Sequence, residues 1–184
     1  DMEEKMRRIT EEWRRVTEEI ERRHREVIKK WRDVSREIAE THRRVIDELR
    51  RVLERIAERN PSEDLLRKLK KEIEKLERDN RKLIDDDRRL LERVERKNER
   101  LIREDRERLK EAEKRIKEVE DRGIDKDIVD KELERLREEI RTSKKESDEV
   151  VKENEELIRD SKRKSEKVVR DNKRVIKEAE EKAK

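Results

Sequence analysis

The chain has 184 residues, 62% charged and 28% apolar, with 59 basic against 55 acidic side chains and a net charge of +4. That composition borders on disorder, but near-balanced charge keeps self-repulsion small, and a chain rich in Glu, Lys, Arg and Leu with helical periodicity reads as long helices. Gly and Pro occur once each and Cys is absent, which leaves room for about two turns and excludes disulfides and thiolate metal sites.

Apolar runs are two or three residues long, as at Val150-Val151, too short to span a bilayer. The opening DMEEKMRR carries no apolar stretch of the signal-peptide kind, so a soluble chain without a targeting signal is expected and no compartment is assigned. The pI near 9.2 invites a nucleic-acid reading. Basic and acidic residues number 18 and 16 over 1–60, 22 and 20 over 61–123, and 19 and 19 over 124–184. No segment forms the clustered positive charge that phosphate contacts need, so no nucleic-acid partner is expected.

The first helix is expected over about residues 2–59. Its apolar positions Met2, Met6, Ile9, Trp13, Val16 and Ile20 alternate steps of three and four, which keeps one face apolar. Asn60-Pro61-Ser62 ends it: Pro61 disfavours helix at Asn60, and Ser62 caps the second helix, expected over 63–121. Gly123 suits the left-handed position after a helix end. Ile124-Asp125 then leads into the third helix, expected over 126–183 with Asp125 as cap. Three helices of about 57 residues, each roughly 85 Å at 1.5 Å per residue, joined by short turns predict an all-α, elongated, up-down-up antiparallel three-helix bundle. The whole chain, 1–184, is read as a single such bundle.

A second period runs through all three helices. Trp13, Trp31 and Leu49 are 18 apart, as are Ile9, Val27 and Val45, and Ile20, Ile38 and Ile56. Leu65, Leu83, Leu101 and Val119 repeat it in the second helix; Ile140, Ile158 and Ile176 repeat it in the third. Eighteen residues make about five full turns, so this pattern does not drift. A strict heptad drifts about 20° per repeat and winds the helices. Nearly straight, weakly supercoiled helices are therefore expected.

Polar residues interrupt the apolar faces with the same spacing: His24 and His42, Asn80 and Asn98, Asp87 and Asp105, Ser143 and Ser161, Ser147 and Ser165, Asn154 and Asn172. Thr17 and Ser35 lie nearby and also differ by 18. Folding the chain at its two turns brings His24 level with Asn98 and Ser147, and His42 level with Asn80 and Ser165. Asp87 comes level with Ser35 and Ser161, and Asp105 with Thr17 and Ser143. Imidazole, amide, carboxylate and hydroxyl can satisfy one another. Such layers also disfavour shifted registers, in which polar groups would face apolar ones.

The same residues make a poor catalytic set. His24 and His42 lie about 27 Å apart along one helix and cannot share a metal, and neither has a second His or a Cys beside it. Asp87 and Asp105 are equally far apart, beyond the carboxylate spacings used in glycoside hydrolysis. No nucleophile–base grouping and no glycine-rich phosphate loop occurs. No enzymatic activity, metal or cofactor is expected. The serines also admit a plainer reading as solvated surface residues.

The balanced Glu/Lys/Arg surface, the NPSED and RGIDKD turns, the 18-residue repeat and the paired polar positions together resemble de novo designed helical bundles with buried hydrogen-bond networks. The resemblance covers the whole chain and is one of style, with no motif that transfers residue by residue. It implies a synthetic protein used as a scaffold, an assembly module or a switch component. Spectrin-like three-helix repeats match less well, because these helices are longer and the core more regular. Two functions follow from this reading. One is a monomeric structural scaffold whose polar layers set register and which requires no partner. The alternative is an interaction module: an oligomer subunit, a heterodimer half, or an acceptor for an added helix. A second apolar stripe would favour the module, and Ile28, Ala39, Ile46, Leu53 and Ala57 hint at one.

Overall fold

The structure, a computed structural model, describes residues 2–123 and 125–184; the helix-start role expected of Ile124 lies outside the described residues. Three helices make up the chain: α1 (Met2–Glu58), α2 (Glu63–Asp121) and α3 (Lys126–Lys182). Among the described residues there is no strand, and the fold is a three-helix bundle. Helices α1 and α3 each stop one residue short of the expected ends, and α2 has the expected bounds.

The helix boundaries follow from local chemistry. At the end of α1, Arg59 N donates to Ile56 O at 3.1 Å and Asn60 N to Ala57 O at 3.3 Å, tightening the last turn. Asn60 then adopts φ 52°, a left-handed conformation that Asn tolerates better than most residues. Ser62 Oγ accepts from Leu65 N at 3.2 Å, which satisfies one of the free amides of the first turn of α2. Gly123 closes α2 at φ 91°. A Cβ there would meet nothing within 4 Å, so the backbone angle, not space, demands glycine. Asp125 Oδ1 accepts from Asp127 N at 3.0 Å and caps α3.

Contacts divide the chain into two compact units, each taking a length of all three helices. Unit 1 comprises Asp1–Lys29 and Val94–Glu155; unit 2 comprises Lys30–Arg93 and Glu156–Lys184.

In unit 1, Met6, Ile9, Trp13, Val16 and Ile20 of α1 pack with Ala112 and Ile116 of α2 and with Val129, Leu133, Leu136 and Ile140 of α3. Arg115 of α2 reaches Glu139 of α3 at 2.8 Å, and Arg108 reaches Glu146 at 3.4 Å. The α3 partner advances by seven as α2 retreats by seven, so these lengths are antiparallel.

In unit 2, Val45, Leu49, Val52 and Ile56 of α1 pack with Leu69 and Ile73 of α2 and with Ile176 and Ala179 of α3. Ser35 meets Asp87 and His42 meets Asn80, so α1 and α2 are antiparallel. His42 and Ser165 are separated by 123 residues, and Arg55 and Glu180 by 125. That near-constant offset makes α1 and α3 parallel.

The 18-residue repeat is a burial repeat on α1 and α3. Trp13, Trp31 and Leu49 are 2%, 0% and 0% exposed, and Ile140, Ile158 and Ile176 are all buried. On α2 the corresponding Leu65, Leu83, Leu101 and Val119 are only half-buried. The second stripe suggested on α1 does not form a continuous free face: Ile28 and Ile46 are buried and Ala39 and Leu53 half-buried, with only Ala57 of the five exposed. Among the described residues, Ile128 is the large apolar side chain that stands exposed.

Candidate functional site

The most chemically differentiated residues are the polar side chains within each unit's helical interior. In unit 2, His42 is fully buried. Its Nδ1 lies 2.6 Å from Asn80 Oδ1. A carbonyl oxygen only accepts, so Nδ1 carries the proton of the neutral ring. Nε2 is then the acceptor for the Ser165 hydroxyl at 2.7 Å. Asn80 Nδ2 donates to Leu76 O, one turn back on α2, at 2.7 Å and to Asn172 Oδ1 at 3.1 Å. Asn172 Nδ2 donates to Val168 O on α3 at 2.6 Å. The chain Ser165–His42–Asn80–Asn172 therefore joins all three helices and ends on a backbone acceptor. Both ring nitrogens and both amides are satisfied.

Still in unit 2, Ser35 Oγ donates to Asp87 Oδ2 at 2.6 Å. Asp87 Oδ1 is shut from solvent and has no partner. Ser161, expected as that partner, is half-buried near it without a hydrogen bond between them.

Unit 1 holds the same residue types in a looser arrangement. His24 is 1% exposed, and its Nε2 is 3.2 Å from Ser147 Oγ. Its Nδ1 has no partner, and neither has Asn98 Nδ2. Asn98 stands close enough to oppose the fall of the His24 pKa, yet no hydrogen bond of normal geometry joins them. Its carbonyl instead accepts from Asn154 Nδ2 at 3.3 Å. Thr17 and Ser143 are buried, and Ser143 Oγ is unpartnered. Asp105, expected to bond with them, instead faces Arg108 Nη1 one turn on at 3.6 Å.

Burial sets the acid–base character of these groups. Desolvation lowers the pKa of both histidines. At His24 the nearby Asn98 opposes that fall and Arg23 adds to it; at His42 the Asn80 hydrogen bond and the Asp87 charge both oppose it. Desolvation raises Asp105 to about 6; Arg108 opposes the rise, and Glu146 and Glu104 reinforce it. Ser143 offsets a small part without making a hydrogen bond of ordinary geometry.

Two participants were not placed in layers by the sequence reasoning. Asn154 and Asn172 stand out in sequence as polar residues 18 apart, but their membership depends on how α3 is rotated against α2, and the register is known only to about one turn. A third feature carried no signal: Arg115 of unit 1 sits between Glu132, at 3.1 Å, and Glu139 in a partly buried ion cluster.

Among the described residues, no group of three or more His, Asp or Glu is placed to hold a metal ion, and no helix is long and apolar enough to cross a membrane. Fold and polar interior together define a three-helix, all-α bundle with buried hydrogen-bonding side chains. Comparison with known protein families, curated proteins and solved structures gives no match.

Proposed function

We propose that this chain is a de novo designed structural scaffold with no enzymatic activity, in which buried polar layers specify helix register. The observation that carries this reading is the His42 layer: four polar side chains from three helices, all satisfied by one another or by backbone. A hydrogen bond returns little net stability after desolvation, but a polar layer opposed to apolar side chains leaves groups unsatisfied at about 1–3 kcal/mol each. The layer thus selects one register more than it adds stability, as a buried polar residue does in coiled coils. Among the described residues Ile128 is the one large apolar side chain that stands exposed, which supports a chain that acts as a monomer.

Solution mass tests the proposal. Light scattering at low and high concentration should return the monomer mass of 22.9 kDa. Replacing His42, Asn80, Ser165 and Asn172 together by apolar residues should preserve helicity and broaden the mass distribution. A parent protein at two or three times the monomer mass would favour the interaction-module reading. A layer-free variant that stays uniformly monomeric would remove the register role.

A further inference from the structure

In unit 1, Arg115 of α2 holds two carboxylates of α3 at once. Its Nη2 donates to both oxygens of Glu139, at 3.0 and 2.8 Å. Its Nε stands 3.1 Å from Glu132 Oε1, an ion pair outside hydrogen-bond geometry. Glu139 also pairs with Arg135 Nε, one turn back on α3, at 3.4 Å, so two carboxylates and two guanidinium groups balance in charge. The side chains of Arg115, Glu132 and Glu139 are 23%, 14% and 30% exposed. We infer that Arg115 is the positioning residue that fixes how α3 slides and turns against α2 in unit 1. The inference rests on the reading of polar groups as register-setting and extends it from the interior of unit 2 to an ionic grip in unit 1.

Geometry gives Arg115 this role. Glu132 and Glu139 are two turns, or about 10 Å, apart on one face of α3. A slide of α3 in either direction lengthens one contact, and a rotation carries both carboxylates off the guanidinium. The core beside the grip cannot do the same. Ala112 and Ile116 of α2 pack with Leu133, Leu136 and Ile140 of α3, and aliphatic burial is non-directional. The planar guanidinium, by contrast, presents its donors in a fixed fork. The next rung of the same seam is different. Arg108 and Glu146 meet at 3.4 Å with side chains 44% and 50% exposed, and an ion pair that open to water is worth little. Losing Arg108 removes one solvated contact. Losing Arg115 leaves Glu132 and Glu139, both shielded from water, without their shared cation.

The test measures the α2–α3 geometry of unit 1 in the intact chain. The sequence has no cysteine, so Lys117→Cys and Lys145→Cys, both at exposed positions, carry a pair of spin labels. Their distance distribution is read together with amide hydrogen exchange around Ala112, Ile116, Leu136 and Ile140. The parent should give one narrow distribution. Arg115→Met keeps an unbranched apolar stem and removes the charge. It should broaden the distribution and speed exchange about tenfold or more. Arg108→Met should leave the distribution as it is and change exchange by no more than about twofold. Arg115→Glu should broaden the distribution most. Inverting the other three charges as well, with Glu132→Arg, Arg135→Glu and Glu139→Arg, should narrow it again, which a merely space-filling role would not do. A narrow and protected Arg115→Met variant, an equal effect of Arg108→Met, or an inverted network no narrower than Arg115→Glu alone would overturn the inference. Each of these outcomes leaves the His42 layer of unit 2 to be judged separately, by solution mass.

Discussion

His42 in unit 2 has partners on both ring nitrogens, whereas His24 in unit 1, equally buried and equivalent in the repeat, keeps Nδ1 unbonded. The residue types around the two rings are the same: a serine on α3 and one asparagine each from α2 and α3. The difference lies in one amide. Asn80 donates back to Leu76 O on its own helix, which turns its carbonyl toward His42. Asn98 makes no such bond, and its carbonyl receives Asn154 instead. A repeat of residue types therefore does not repeat a network. The orientation of a single side chain decides whether an imidazole is satisfied.

The largest test of this contrast is removal of the α2 amide from each unit. Asn80→Leu strands His42 Nδ1–H and Asn172 Oδ1 and should cost about 2–6 kcal/mol, at 1–3 for each stranded group. Asn98→Leu strands Asn154 Nδ2 alone and should cost about 1–3 kcal/mol. Denaturant unfolding of both variants measures the difference. Equal costs would mean that His24 is as well satisfied as His42.

Asp105 of unit 1 gives the next test. Its folded pKa is about 6 against 3.8 for the free side chain, so the folded state holds the proton more tightly. The stabilising difference is complete below about pH 4 and is lost as pH rises through about 6. Burying the charged form then costs up to about 3 kcal/mol at neutral pH, at 1.36 per unit. Asp105→Asn should stabilise unit 1 at pH 7 and flatten this dependence. A destabilised, still pH-dependent variant would show that Arg108 holds the carboxylate in place.

The histidines respond in the opposite sense. Their folded pKa values lie below the unfolded value of about 6.5. Their contribution is complete above that value and falls as pH drops through it toward the folded pKa. In the Asp105→Asn background, backbone hydrogen exchange should show unit 1 losing protection before unit 2 on acidification. A protonated His24 has no acceptor at Nδ1 and faces Arg23, whereas His42 keeps Asn80 and sits near Asp87. Imidazole titration by NMR should place His42 at the higher pKa; the reverse order would break the comparison.

The turns give the smallest effects. Gly123→Ala at φ 91° should cost about 1–2 kcal/mol, the left-handed penalty of a Cβ. Asn60→Gly at φ 52° should be neutral or stabilise by a few tenths of a kcal/mol, since Asn already tolerates the angle. Thermal unfolding reads both. A costly Asn60→Gly would reveal a side-chain contact at that turn.

What sequence alone determined here is whatever depends on spacing along one helix. The alternation of three and four placed the apolar face of α1, and Ile9, Trp13, Val16 and Ile20 are all buried. Asn60-Pro61 and Gly123 located both turns, because their backbone preferences act within a few residues. The buried polar positions His24, His42, Asn80, Asn98, Ser147 and Ser165 were legible for the same reason: each falls on an inward step of its own helix. Which of them bond was decided only by tertiary structure. Partners across helices meet within a window of a few tenths of an ångström, whereas a turn-level register locates them to about 5.4 Å. Helix rotation brought Asn154 and Asn172 into the layers, left Ser161 beside Asp87 without a bond, and turned Asp105 toward Arg108. The division into two units was likewise invisible along the chain, since every helix runs through both.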